Sequence, residues 1–73
     1  MIDQMYPVSS TNMTAVGYDS ERSVMRVEFP NGALCEYSDV PVTVFDELVN
    51  AEGYHGEFFS KFIKNQYPYT RIN

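Results

Sequence analysis

Ser23 to Phe29 alternates in polarity: Met25, Val27 and Phe29 point one way, Arg26 and Glu28 the other. A period of two fits a strand with one dry face and one wet face. Ala33 to Tyr37 repeats it, with Ala33, Cys35 and Tyr37 on one face and Leu34 and Glu36 on the other. Between them, Asn31-Gly32 predicts a two-residue type I′ turn, because Asn and Gly tolerate positive φ. Pro30 has no N–H to donate and points to an edge or a departure from strict pairing. We place Cys35 and Tyr37 on the core side, opposite Val27 and Met25. A weaker alternation predicts a strand over Met13 to Tyr18, joined to the next by a turn at Asp19-Ser20-Glu21-Arg22. Pro7 to Asn12 reads as irregular, since the side chains of Ser9, Ser10, Thr11 and Asn12 compete for nearby backbone.

After Tyr37 the period changes. Asp39-Val40-Pro41 ends the strand and opens a helix, with Pro41 at the first helical position. Over 41–51, Val44, Phe45, Leu48 and Val49 fall on one side of a 3.6-residue wheel, with Thr43, Asp46, Glu47 and Asn50 opposite. Gly53 is a helix stop. A second helix over 56–65 repeats the stripe with Phe58, Phe59, Phe62 and Ile63, and sets Glu57, Ser60, Lys61 and Lys64 on the far side. Glu57 and Lys61 are spaced for an i,i+4 pair. Pro68 closes the helical region, and Tyr69 to Ile72 reads as a short final strand. The expectation is an α+β fold: an antiparallel, three- to four-stranded hairpin meander with two amphipathic helices on one face. Residues 1–73 form one domain, with 1–7 as a loosely ordered lead-in.

Size and composition narrow the function. The chain has 73 residues, is 44% hydrophobic, and carries five Phe and six Tyr. Domains this small bury a low fraction of their surface, which leaves room for a homodimer. With one cysteine there is no internal disulfide, which suits a reducing cytoplasm. The N-terminus lacks a basic stretch followed by an apolar run, so no signal peptide is expected, and no segment reaches membrane-spanning length. The net charge of −5 argues against a generic nucleic-acid binder. The charge is uneven, however: residues 1–58 carry −8 and residues 59–73 carry +3, from Lys61, Lys64 and Arg71 with no acid.

Several stretches together resemble the KTSC domain, a small family found at the C-terminus of some lysyl-tRNA synthetases and as a stand-alone bacterial protein. They are VSSTNMTAVGYD, FPNG, CEYSDVP, GEFFSKFIKNQY and the trailing RIN, covering about residues 8 to 72. The family's mark is a Tyr-x-Tyr followed by Val-Pro; here Cys35 stands in the first tyrosine's place and Tyr37 keeps the second. The resemblance implies no established activity, and suggests RNA binding only through the synthetase context.

Candidate chemistry is sparse. Cys35 lies mid-strand without the electropositive setting a nucleophilic thiol needs. His55 is the only histidine, with no second ligand to make a metal site, and reads as a linker or first-turn residue. No catalytic group, metal or cofactor is expected. Tyr37 is expected to bury its ring and bond its hydroxyl to backbone or water, and Ser9 and Ser10 to bridge backbone near the first strand.

The segment KFIKNQYPYTRI differs in kind. It joins three cations to two tyrosines, the chemistry that holds single-stranded nucleic acid. Two functions follow as expectations. One is a non-catalytic module that binds a protein partner or itself. The other is RNA binding, to tRNA-like or single-stranded RNA, through Lys61, Lys64, Tyr67, Tyr69 and Arg71. Tyr37, Ser9 and Ser10 are the remaining candidate contacts for either ligand.

Overall fold

Val16 sits opposite Val27, and Val27 opposite Cys35, so one row of small apolar side chains crosses three strands on one sheet face. One step along, Tyr18, Met25 and Tyr37 form a second row on the same face. These rows are the alternating positions of the sequence brought into register. A computed structural model describes residues 4–8 and 10–73. The strands are β1 (Tyr6–Pro7), β2 (Ala15–Asp19), β3 (Val24–Glu28), β4 (Leu34–Tyr37) and β5 (Tyr69–Arg71). They pair antiparallel in the order β1-β2-β3-β4-β5, a meander with no crossover. Helices α1 (Val42–Val49) and α2 (His55–Phe62) lie between β4 and β5 in the chain. Phe45 of α1 stacks on Tyr18 at 5.2 Å, and Phe59 of α2 meets Tyr37 edge-on at 5.4 Å. Both partners are on the same sheet face, so both helices cover that face, as the pattern predicts. Met13, Val40, Leu48 and Ile63 complete the core.

The opposite face is polar. Arg26 and Glu36 are cross-strand neighbours and bond at 2.8 Å, while Arg22 bridges Glu36 at 3.4 Å and Asp19 at 2.8 Å. Asp19 also accepts the Glu21 and Arg22 backbone N–H groups, which closes the β2–β3 turn.

Five details depart from the sequence reading. The described part of the expected lead-in contains β1, so the sheet has five strands; residues 1–3 and Ser9 lie outside the described residues. The β3–β4 turn is not the two-residue type I′. Phe29 accepts from Gly32 N–H at 2.9 Å and donates to Ala33 at 2.9 Å, so Pro30, Asn31 and Gly32 form a three-residue loop. Only Gly32, at φ +87°, takes the left-handed conformation. Pro30 decides this: its fixed φ suits the first turn position, and a type I′ turn would have placed it in a paired site without an N–H. Asn31 Oδ1 accepts from Ala33 N–H at 3.0 Å. Both helices are shorter than 41–51 and 56–65, with Pro41 at the N-cap of α1 rather than inside it. Phe62 falls off the core stripe and is 54% exposed, because α2 ends there and the chain turns at Ile63. Glu57 and Lys61 make no ion pair.

Candidate functional site

β5 closes one margin of the sheet, and its hydrogen bonds fix which way its backbone faces. Ser38 N–H bonds to Pro68 C=O at 2.9 Å, and Ile72 N–H to Leu34 C=O at 2.8 Å. Bonded and non-bonded pairs alternate in an antiparallel ladder, so Glu36 and Thr70 form the bonded pair between those two. The N–H and C=O groups of Tyr69 and Arg71 therefore point off the sheet. All three residues of β5 are exposed, Tyr69 at 59%.

Beside this margin, on the helix-covered face, lies a cavity of about 510 Å³. Phe29, Cys35 and Tyr37 form its floor, Phe59, Ser60, Lys64 and Asn65 its α2 side, and Tyr69 its outer rim, with Asn12 closing one end. Among the described residues its lining has no acid and one cation, Lys64. A second cavity of about 400 Å³ adjoins it across Asn12 and Ser60, and includes Ser10, Tyr54, Glu57 and Lys61. Gly56 shapes that wall: a Cβ there would stand 2.8 Å from Ser10 Oγ, which itself accepts the Asn12 N–H at 3.0 Å. A third groove of about 450 Å³ runs between α1 and α2, with Val44, Phe58, Phe62 and Tyr67 as its apolar part.

The expected contacts thus divide. Tyr37, Lys64 and Tyr69 share the cavity beside β5, Ser10 and Lys61 the adjoining one, and Lys61 with Tyr67 borders the inter-helix groove. Arg71 lies on the β5 edge, with its Nε donating to the Asn73 carbonyl at 2.6 Å. Ser9 is outside the described residues. Asn12, Ser60 and Asn65 were not anticipated: Asn12 reads as a turn former, and the last two as a helix face and a helix end.

Tyr37 is 3% exposed, and Tyr69 stacks on it at 5.2 Å. Its hydroxyl bonds to no described residue and is not sealed from solvent, unlike that of Tyr18, which donates to the Val40 carbonyl at 2.6 Å. Burial pushes the Tyr37 phenol up to about 12, helped by neighbouring Cys35 and Tyr69. His55 is the first-turn residue rather than a linker. It opens α2 at 4% exposure, and its Nε2 donates to the Val49 carbonyl at 3.2 Å, serving one of the carbonyls that the end of α1 leaves without a helical partner. Cys35 is buried in β4. Among the described residues no group of three or more His, Cys, Asp or Glu is placed to hold a metal ion, and no helix is long and apolar enough to cross a membrane.

The profile of the KTSC domain matches residues 9–67. A lysine–tRNA ligase of Nostoc sp. (strain PCC 7120) is 39% identical over 59 residues, covering 81% of this chain and 10% of that protein. A protein of Stutzerimonas stutzeri is 35% identical over 66 residues, covering 90% of this chain and 93% of that one. The chain therefore spans about a tenth of the ligase it matches and nearly all of the small relative. The crystal structure of a KTSC domain protein from Yersinia pestis superposes with a TM-score of 0.89 at 27% identity, covering 96% of this chain and 97% of that one.

Proposed function

The chain belongs to the KTSC domain family, and on that footing we propose that it is a non-catalytic module that binds another protein at the margin formed by α2 and β5. One observation carries this reading: a bare strand edge lies beside a cavity of aromatic and amide groups that holds a single charge. Unpaired backbone groups beside a pocket are the combination used when one protein captures an extended segment of another. The absence of catalysis is supported by how the reactive side chains are engaged. His55 Nε2 is bonded to the Val49 carbonyl, and Cys35 is packed into the core. A reducing cytoplasm suits a chain whose single thiol is buried.

A photo-reactive aromatic residue at position 69, in the intact chain in bacterial lysate, tests the reading. Protein adducts from position 69, absent when the same group replaces exposed Glu21, are expected. Nuclease-sensitive adducts alone would transfer the margin to nucleic acid and end the protein reading.

A second reading is single-stranded or tRNA-like RNA. It is favoured by Lys64 and Tyr69 sharing one cavity with Lys61 next to it, and by relatives named as lysine–tRNA ligases. It requires binding that weakens with salt at a slope of about three phosphates or fewer. Exchange of Lys61 and Lys64 for Glu should abolish that binding. Full retention by this variant rules the second reading out.

A further inference from the structure

We propose that β5 receives a sixth strand: an extended, acidic segment of a partner protein, antiparallel to β5, with a carboxylate opposite Arg71 and an apolar or aromatic side chain opposite Tyr69. This rests on the protein-binding reading above and names the partner's chemistry and register.

The two margins of the sheet are not equivalent. On β1, the Val8 N–H bonds to the Thr14 carbonyl at 3.2 Å, so Tyr6 and Val16 form the next bonded pair and Pro7 holds the outward position. Proline offers no N–H there, which blunts that edge. β5 has no such block. Tyr69 and Arg71 each present a donor and an acceptor, enough for four ladder bonds to a new strand.

Charge selects the occupant. Residues 59–73 hold Lys61, Lys64 and Arg71 and no acid. A second copy of this chain added at β5 would set one basic segment against another. An acidic strand instead brings opposite charges face to face. The same arginine that discourages self-pairing thus favours a carboxylate partner.

Register sets the motif. Opposed residues in an antiparallel pair share a face, and Tyr69 and Arg71 lie on the α2 side with Tyr37 and Cys35. The two partner residues opposite them project onto that same side, next to Lys64 and Asn65 at the cavity rim. Because the strand runs antiparallel, the residue facing Arg71 comes first. The recognised sequence reads acid, any residue, apolar. Arg71 keeps further guanidinium donors for the acid beyond the Nε bonded to Asn73.

The test titrates the isotope-labelled full chain with a capped nine-residue peptide having Glu-Thr-Tyr at its centre. Amide shifts should concentrate at residues 69–71 and Lys64. N-methylation of the peptide Glu or Tyr, whose N–H groups face β5, should weaken binding at least about fivefold each, while N-methylation of the Thr between them changes it by less than about twofold. Lys in place of the peptide Glu should also weaken it about fivefold. No binding at millimolar peptide overturns the proposal. So do shifts confined to Val44, Phe58, Phe62 and Tyr67, an outcome that keeps a protein-binding module but moves its site from the β5 margin to the groove between the helices. Shifts at residues 69 and 71 that track chain concentration without peptide assign the edge to a second copy and overturn it. Shifts there with oligouridylate, and none with peptide, overturn both readings.

Discussion

Tyr37 and Tyr69 are direct partners across β4 and β5, and their rings stack with centroids 5.2 Å apart and planes 29° apart. The pair joins the core to the surface: one ring is 3% exposed and the other 59%. Aromatic pairs of this kind add about 0.5–1.5 kcal/mol beyond burial, so Tyr69 holds β5 in place while staying open to a ligand.

The Tyr37 hydroxyl bonds to no described residue, so Tyr37→Phe should change stability at pH 7 by less than about 0.5 kcal/mol. Its effect belongs at high pH. A phenol raised to about 12 in the fold, against about 10 unfolded, contributes stability that is complete below pH 10 and is lost as pH rises toward 12. Urea midpoints measured from pH 9 to 12 should therefore fall less steeply in Tyr37→Phe than in the parent. Parallel curves would show that the phenol titrates normally.

Asp19 governs the acid limb. The Arg22 side chain, aided by the Glu21 backbone N–H, holds its carboxyl well below the usual carboxylate range. A depressed folded pKa contributes stability present above about pH 4 and lost as pH falls below it. Asp19→Asn should lower the melting temperature at pH 7 and flatten its decline between pH 5 and pH 2. A decline as steep as the parent's would place the acid-sensitive group elsewhere.

Gly56 and Ser10 are coupled by contact. Ala at position 56 gains about 0.5–1 kcal/mol of helix propensity but drives its Cβ against Ser10 Oγ. Gly56→Ala alone should be neutral or destabilising by about 1 kcal/mol. In a Ser10→Ala background, where the oxygen is gone, the same change should stabilise. A double-mutant cycle in urea reads the coupling, and strict additivity would mean that the contact carries no energy.

Phe59 and Phe62 look alike in the sequence and should behave differently. Phe59→Ala empties the core between Phe29 and Tyr37 and should cost about 3–5 kcal/mol. Phe62→Ala, at an exposed ring tilted against Phe58, should cost less than about 1 kcal/mol. Equal losses in urea denaturation would contradict the exposure of Phe62.

What the sequence discloses here is periodicity. Met25, Val27, Cys35 and Tyr37 could be assigned to one face from alternation alone, and they share it, Met25 opposite Tyr37 and Val27 opposite Cys35. Phe45 and Leu48 were legible from the helical stripe. Periodicity says nothing about where a stripe stops, which is why Phe62 was assigned to the core. It is also silent where two rules compete, as at Pro30-Asn31-Gly32, where the fixed φ of proline prevailed over the preference of Asn-Gly for a tighter turn. The cavity was only half legible. Tyr37, Lys64 and Tyr69 stand out by residue type, whereas Asn12 and Asn65 reach it only because the loop before β2 and the end of α2 meet in space.

Both helices are strung between β4 and β5, whereas β2, β3 and β4 are joined by turns of a few residues. Closing a long excursion costs more chain entropy than closing a turn, so β5 is expected to join β4 after the other three strands have met and to leave before they part. A ligand that clamps this strand thereby fastens the two ends of the helical layer together. Slower amide exchange reaching through α1, which takes no part in the margin, is the signature such a latch would leave.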